Sequence, residues 1–215
     1  MIYNQDNSNL IIIEKKNEVY ITVDCDSGVQ REISEFFTFY VPGYKFMPAF
    51  RNRMWDGKIR LFSQKTKEIY FGLYPYIKAF AEERGYNIVA GKDIDIDNKV
   101  DRDVVTKFSN SLGQKFEARD YQIDAIFHSL KRNRTLLVSP TASGKSFIIY
   151  SLIRYYSHLI KEESNNRILL IVPTTSLVEQ MYTDFESYGW NVKKNCHRLY
   201  SGYSNQTDKK VLIST

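Results

Sequence analysis

Residues 134–146 read RTLLVSPTASGKS, an aliphatic run, a loop of small residues, and Gly-Lys-Ser at the head of KSFIIYSLIRYYSHLIK (145–161). The order predicts a strand, a phosphate-holding loop and a helix of about four turns from Lys145 to Lys161. Backbone N–H groups of Thr141, Ala142, Ser143 and Gly144, with the positive end of that helix, form a cradle for phosphate oxygens. Gly144 lets the backbone approach without a Cβ. Lys145 reaches the β- and γ-phosphates, which makes it the candidate catalytic residue, and the Ser146 hydroxyl is the candidate Mg²⁺ ligand. Ser139 stands where the usual pattern has its first glycine, so the assignment rests on the strand before and the helix after. The expected cofactors are ATP and Mg²⁺.

Downstream, RILLIVP (167–173) repeats the aliphatic text of RTLLVSP (134–140). Short, wholly apolar strands of this kind are buried on both faces of a parallel sheet. The two runs with the helix between them predict a βαβ unit with a right-handed crossover. A helix is predicted at 176–187 and a last strand at VLIST (211–215). The fold class is α/β.

Upstream, LIII (10–13) and EVYITV (18–23) predict a hairpin. Val29, Ile33, Phe36 and Phe37 fall at helical spacing. A strand is expected after the Asp56-Gly57 turn and another at 68–71. A helix at 74–84 should stop at Gly85, and NIVA (87–90) should close the unit. Residues 1–90 thus form a small α/β domain, and 118–215 a phosphate-loop domain. The acidic, polar residues 91–117 between them are expected to be a linker with one short helix. Asp93, Asp95 and Asp97 alternate as in a calcium loop, but Asn98 and Val104 stand where that loop needs Gly and Glu.

The net charge is +5, and residues 36–76 carry all of it, with seven basic residues against two acids. Thirteen aromatics are interleaved with them. Arg51, Arg53, Lys58 and Arg60 are candidate phosphate contacts for a nucleic acid, salt-sensitive and independent of sequence. Tyr44, Phe46 or Trp55 could stack on exposed bases. A domain of 90 residues also needs a core, and Phe36, Phe37, Phe50, Trp55 and Phe62 suit that role. No run approaches the roughly 18 apolar residues of a membrane span. The first residues lack a secretory pattern, and Cys25 and Cys196 lie far apart as ordinary thiols. These features lead us to expect a cytoplasmic protein with no membrane partner.

The motifs around the loop carry a resemblance. Arg119, Tyr121 and Gln122 resemble the R-x-Y-Q adenine motif of superfamily 2 helicases, SPTASGKS resembles their motif I, and Pro173, Thr174, Thr175, Leu177 and Gln180 resemble motif Ia. Each has its own chemistry. A Gln amide can pair with the adenine edge, Arg can stack on its ring, and Thr hydroxyls at a strand end suit a DNA phosphate. Ser214 and Thr215 resemble the strand end that contacts DNA in these motors.

The stretch FFTFYVPGYKFMPAFRNRMWDGKIRLF (36–62) with YFGLYPYIKAFAEERGY (70–86) is similar to the N-terminal domain of UvsW-type phage helicases. The resemblance implies a partial RecA-like parallel sheet with flanking helices and an ATP-dependent helicase activity. It also implies branched DNA from recombination, repair and stalled forks as the partner, other phage recombination proteins as associates, and the host cytoplasm as location. No Asp-Glu pair, the motif II acid of such motors, occurs in the 215 residues. The expectation is a chain ending before motif II that binds DNA and, weakly, ATP without hydrolysing it. Two other readings stay open at this point, a non-enzymatic DNA-binding protein with a vestigial motor and another P-loop ATPase.

Overall fold

The structure, a computed structural model, describes residues 9–94, 98–132, 134–161 and 164–215. The chain divides into two compact units, Met1–Ile96 and Asp97–Thr215. Each has its own apolar core.

The first unit is built on a four-stranded mixed sheet of order β5-β2-β1-β6, from β1 (Leu10–Lys15), β2 (Tyr20–Asp24), β5 (Glu68–Tyr70) and β6 (Asn87–Ala90). β1 pairs antiparallel with β2 and parallel with β6, and β2 pairs antiparallel with β5. Alternation puts Ile11, Ile13, Ile21, Val23 and Ile69 on one fully buried face. That face shares its core with Val29 and Ile33 of α1 (Ser27–Phe36) and with Ile77, Phe80 and Ala81 of α3 (Tyr74–Arg84). Asp26 caps α1 by accepting from the Gly28 N–H, and Gly85 ends α3 at φ 73°. A separate two-stranded sheet, β3 (Thr38–Tyr40) with β4 (Lys58–Arg60), carries between its strands an excursion that includes the short helix α2 (Pro48–Arg51). Of the five aromatics expected in the core, Phe37 and Phe62 are there; Phe36 is exposed, and Phe50 and Trp55 pack within the excursion.

The second unit holds a parallel sheet of order β7-β9-β8, from β7 (Ile168–Ile171), β8 (Cys196–Leu199) and β9 (Val211–Ser214). Around it lie α4 (Arg102–Asn110), α5 (Asp120–Arg132), α6 (Lys145–Leu159), α7 (Thr175–Ser187) and α8 (Val192–Asn195). Fully buried Tyr150 centres the core with Phe147 and Phe185. Its hydroxyl donates to Leu112 O and accepts from Arg154, and burial raises its pKa.

Two expectations are corrected here. Residues 98–112, taken as linker, belong to this unit. Val105 and Leu112 are in its core, and Asn98 is hydrogen-bonded to the carbonyls of Leu130 and Lys131. Asp95 and Asp97 of the apparent calcium loop lie outside the described residues. The run 134–140 forms no strand, so the βαβ crossover expected through it is not formed either. Its Leu136 and Val138 are 87% and 91% exposed. A strand exists only as one member of a hydrogen-bonded ladder, and among the described residues this run has no neighbour to pair with.

Candidate functional site

The phosphate loop closes on itself through side chains of α5 and its approach. Gln122, 5% exposed, accepts the Arg119 N–H at Oε1 (3.0 Å) and donates from Nε2 to Ser143 O (3.3 Å). Tyr121 donates its hydroxyl to the same Ser143 carbonyl (2.9 Å) and accepts from Arg119 Nη1 (3.0 Å). Ser139 and Ser143 share a hydroxyl hydrogen bond across the loop. The resemblance had marked Tyr121, and its bond to the loop is what the sequence could not show. Ser139, the departure from the glycine pattern, gains a role by this geometry.

Gly144 precedes α6 at φ 76°, and no side chain caps the helix. The first N–H groups of a helix lack partners one turn back; the Phe147 N–H bonds to Gly144 O (3.0 Å), and those of Lys145 and Ser146 are available to an anion. A Cβ on Gly144 would run into Gln122 Nε2. Ala142 also holds positive φ (64°), a left-handed conformation that costs a non-glycine residue about 1–2 kcal/mol. Lys145 donates to the carbonyls of Ser139 and Pro140, which places its ammonium across the loop mouth. Thr141 and Ala142 are exposed at the turn. Ser146 is half-buried with no protein hydrogen bond among the described residues, so its hydroxyl suits a hard cation such as Mg²⁺. Gln122 has used one donor and one acceptor site, which leaves one N–H and one lone pair for an adenine edge.

Thr174 caps α7 by accepting from the Leu177 N–H (3.3 Å). Thr174, Thr175 and Thr215 are all exposed. Thr215 follows β9, while Ser214 Oγ is tied to Leu199 O (2.8 Å). A second network fixes α7 to β8. Glu179 accepts from both Arg198 and the Tyr200 hydroxyl, and Arg198 lies between the rings of Tyr182 and Tyr203 (4.4 and 4.5 Å). The Tyr200 hydrogen bond, then Arg198, hold the Glu179 carboxyl below the usual glutamate range.

In the first unit the four basic candidates fall into two pairs. Arg51 and Arg53 are exposed and have no ion-pair partner among the described residues. Arg60 is bound to Asp56, whose pKa that hydrogen bond lowers to about 2, and Lys58 lies over the Tyr40 ring (4.9 Å). Both cysteine thiols are held above their usual range. Burial pushes Cys25 to about 11, helped by Asp24 and Asp26, and Cys196 to about 12.

An uncapped α6, a braced Gly-Lys-Ser loop and a parallel sheet are the features of a P-loop nucleotide-binding domain, here joined to a second α/β unit. Residues 11–91 match the family described as DNA helicase UvsW, N-terminal, and residues 115–215 match type III restriction enzyme, res subunit. The ATP-dependent DNA helicase uvsW of Enterobacteria phage T4 is 36% identical over 174 residues, 79% of this chain. The chain spans about a third of that protein's length (34%). A crystal structure of the UvsW helicase from bacteriophage T4 superimposes with a TM-score of 0.81 at 31% identity, covering 95% of this chain and 74% of that one. A second T4 UvsW structure gives 0.82 at 32% identity, covering 95% and 42%. A Dicer-like protein of Aspergillus niger is 34% identical over 67 residues, 31% of this chain and 5% of its own. This chain belongs to the UvsW family of DNA helicases.

Proposed function

We propose that this chain is the DNA-engaging and ATP-holding part of a helicase that works on branched DNA, the intermediates of recombination, repair and stalled forks, in the cytoplasm of a phage-infected host. The observation that carries the reading is the uncapped start of α6 beside a loop held by Gln122 and Tyr121. Backbone N–H groups from Thr141 to Gly144 would take phosphate oxygens, and Lys145 would leave the Ser139 and Pro140 carbonyls for the β- and γ-phosphates. Gln122 and Arg119 would read the adenine. Bound Mg²⁺, held by Ser146, would neutralise phosphate charge. Thr174, Thr175 and Thr215 would contact a DNA strand, and Arg51, Arg53, Lys58 and Arg60 would neutralise its phosphates elsewhere. No Asp-Glu pair occurs in these 215 residues, so the chain by itself would hold ATP without hydrolysing it.

Two titrations test this. An ATP analogue with Mg²⁺ should bind the wild type and lose about tenfold or more in affinity with Lys145→Ala. A four-way junction should bind at low salt, and replacing Arg51, Arg53, Lys58 and Arg60 together by Ala should weaken binding and flatten its salt dependence. Unchanged DNA binding in the fourfold variant would remove the basic segment from the reading. DNA-stimulated ATP turnover by the 215-residue chain, abolished by Lys145→Ala, would overturn the claim that it only holds nucleotide.

A further inference from the structure

The excursion between β3 and β4 divides its apolar side chains into two sets. One set builds it. The Val41 N–H donates to Gly57 O (2.9 Å) and closes its base. Tyr44 stacks on Tyr40 (4.7 Å, 25°) and meets Phe50 edge-on (4.7 Å, 90°), in space that Gly57 leaves by having no Cβ. Trp55 Nε1 donates to Lys58 O (2.9 Å), and Asp56 pairs with Arg60. Tyr44 and Trp55, both possible stacking residues by sequence, are therefore scaffold. The other set is led by Phe46 and Met54, 85% and 79% exposed, with Met47 at 38%.

The same excursion carries Arg51 and Arg53, which have no ion-pair partner among the described residues. Arg53 sits at φ 56°, held there by N–H bonds from Arg53 to Phe50 O and from Met54 to Ala49 O. A groove of about 550 Å³, lined by Phe50, Arg51, Arg53, Met54, Trp55 and Asp56, runs beside it. Two bare apolar side chains on an excursion that also carries exposed arginines match a ligand that offers anions and flat apolar faces together. Nucleic acid does so only where stacking is interrupted, because a continuous duplex covers its base faces with neighbouring pairs.

We propose that Phe46 and Met54 pack against the unstacked bases at a DNA branch point while Arg51 and Arg53 hold the flanking phosphates, so that this tip distinguishes a branch from a continuous duplex. This rests on the DNA-binding reading above and assigns its branch preference to two residues.

The test uses the full chain, a forked DNA with 2-aminopurine at the branch, and a continuous duplex of the same length. Wild type should bind the fork more tightly and change the 2-aminopurine fluorescence. Phe46→Ala/Met54→Ala should lose about tenfold to a hundredfold on the fork, the range expected for lost base stacking, and keep its duplex affinity. Arg51→Ala/Arg53→Ala should weaken both DNAs and reduce the salt slope by about two. Both side chains are exposed, so the first variant should keep the wild-type unfolding midpoint. An apolar pair variant with unchanged fork affinity and fluorescence would overturn the proposal while DNA binding stands. Equal wild-type affinity for fork and duplex would do the same. Absence of binding to either DNA at low salt would remove the DNA reading and this inference together. A wild-type dimer in sedimentation that Phe46→Ala/Met54→Ala dissolves would assign the tip to self-association and overturn it as well.

Discussion

Residues 134–140 and 167–173 are close to the same text, RTLLVSP and RILLIVP, and they have opposite fates. The second forms β7, with the Ile168 and Val172 N–H groups bonded to Lys210 O and Ser214 O of the β9 segment (both 2.8 Å). The first lies outside any sheet with Leu136 and Val138 in solvent. Composition and propensity cannot separate the two. What differs is the supply of neighbours. β9 lies between β7 and β8 and serves both, while no described strand serves 134–140.

The phosphate loop nevertheless keeps its shape, because the bonds that hold it come from the other side. Gln122 and Tyr121 grip the Ser143 carbonyl, and Ser139 grips Ser143. A nucleotide site normally hung from a strand end is here braced by a helix. The paired and the unpaired run therefore make separable predictions.

The largest effect belongs to the paired side. Ile213 of β9 is fully buried, and Ile213→Ala should cost about 2–5 kcal/mol, read from the urea midpoint of the full chain. Next comes the brace. Gly144→Ala places a Cβ against Gln122 at φ 76° and should cost about 1–3 kcal/mol, together with loss of ATP-analogue binding by titration. Full retention of nucleotide affinity would show that Gln122 does not fix the loop.

A smaller effect is expected where α7 is tied to β8. Glu179 is 42% exposed, so after solvent screening its bonds to Tyr200 and Arg198 contribute about 1 kcal/mol. Its folded pKa is depressed, so this stabilisation is complete above the ordinary value of 4.5 and is lost as pH falls through the folded one. Glu179→Gln should thus lower the urea midpoint at pH 7, and the gap to wild type should close in acid. A gap that widened in acid would reverse the sign of the assignment.

What could be read beforehand was what neighbouring residues decide among themselves. The β1–β2 hairpin, α3 stopped by Gly85 and α6 beginning at Lys145 all stand where local signals put them. What depended on distant partners was hidden. No spacing rule pairs β1 with β6, or closes Val41 onto Gly57 around the excursion between them. The acidic text near residue 100 gave no sign that Val105 and Leu112 would enter a core. Within the site, the loop and Gln122 were legible as types in order, but the Gln122 to Ser143 bond was not. The Asp56 partner that Arg60 finds four residues earlier was hidden as well, because composition does not place ion pairs.

The smallest expected effect is the sharpest test of the comparison. Leu136→Ser and Val138→Ser remove apolar atoms that are already in water, so there is almost no burial to lose. Each should change stability by less than about 0.5 kcal/mol, the range of an ordinary surface substitution. Hydrogen exchange reads the same contrast without mutation. The Ile168 and Val172 amides should be protected by their bonds to the β9 segment, while those of Leu136 and Val138 should exchange as fast as an open loop. If Leu136→Ser cost about 2 kcal/mol, or its amide were as slow as that of Ile168, the two runs would be equals in solution and 134–140 would be a paired strand. If both results stay near zero, the phosphate loop stands on Gln122 and Tyr121, and its affinity for nucleotide should follow substitutions at those residues and ignore those at 136 and 138.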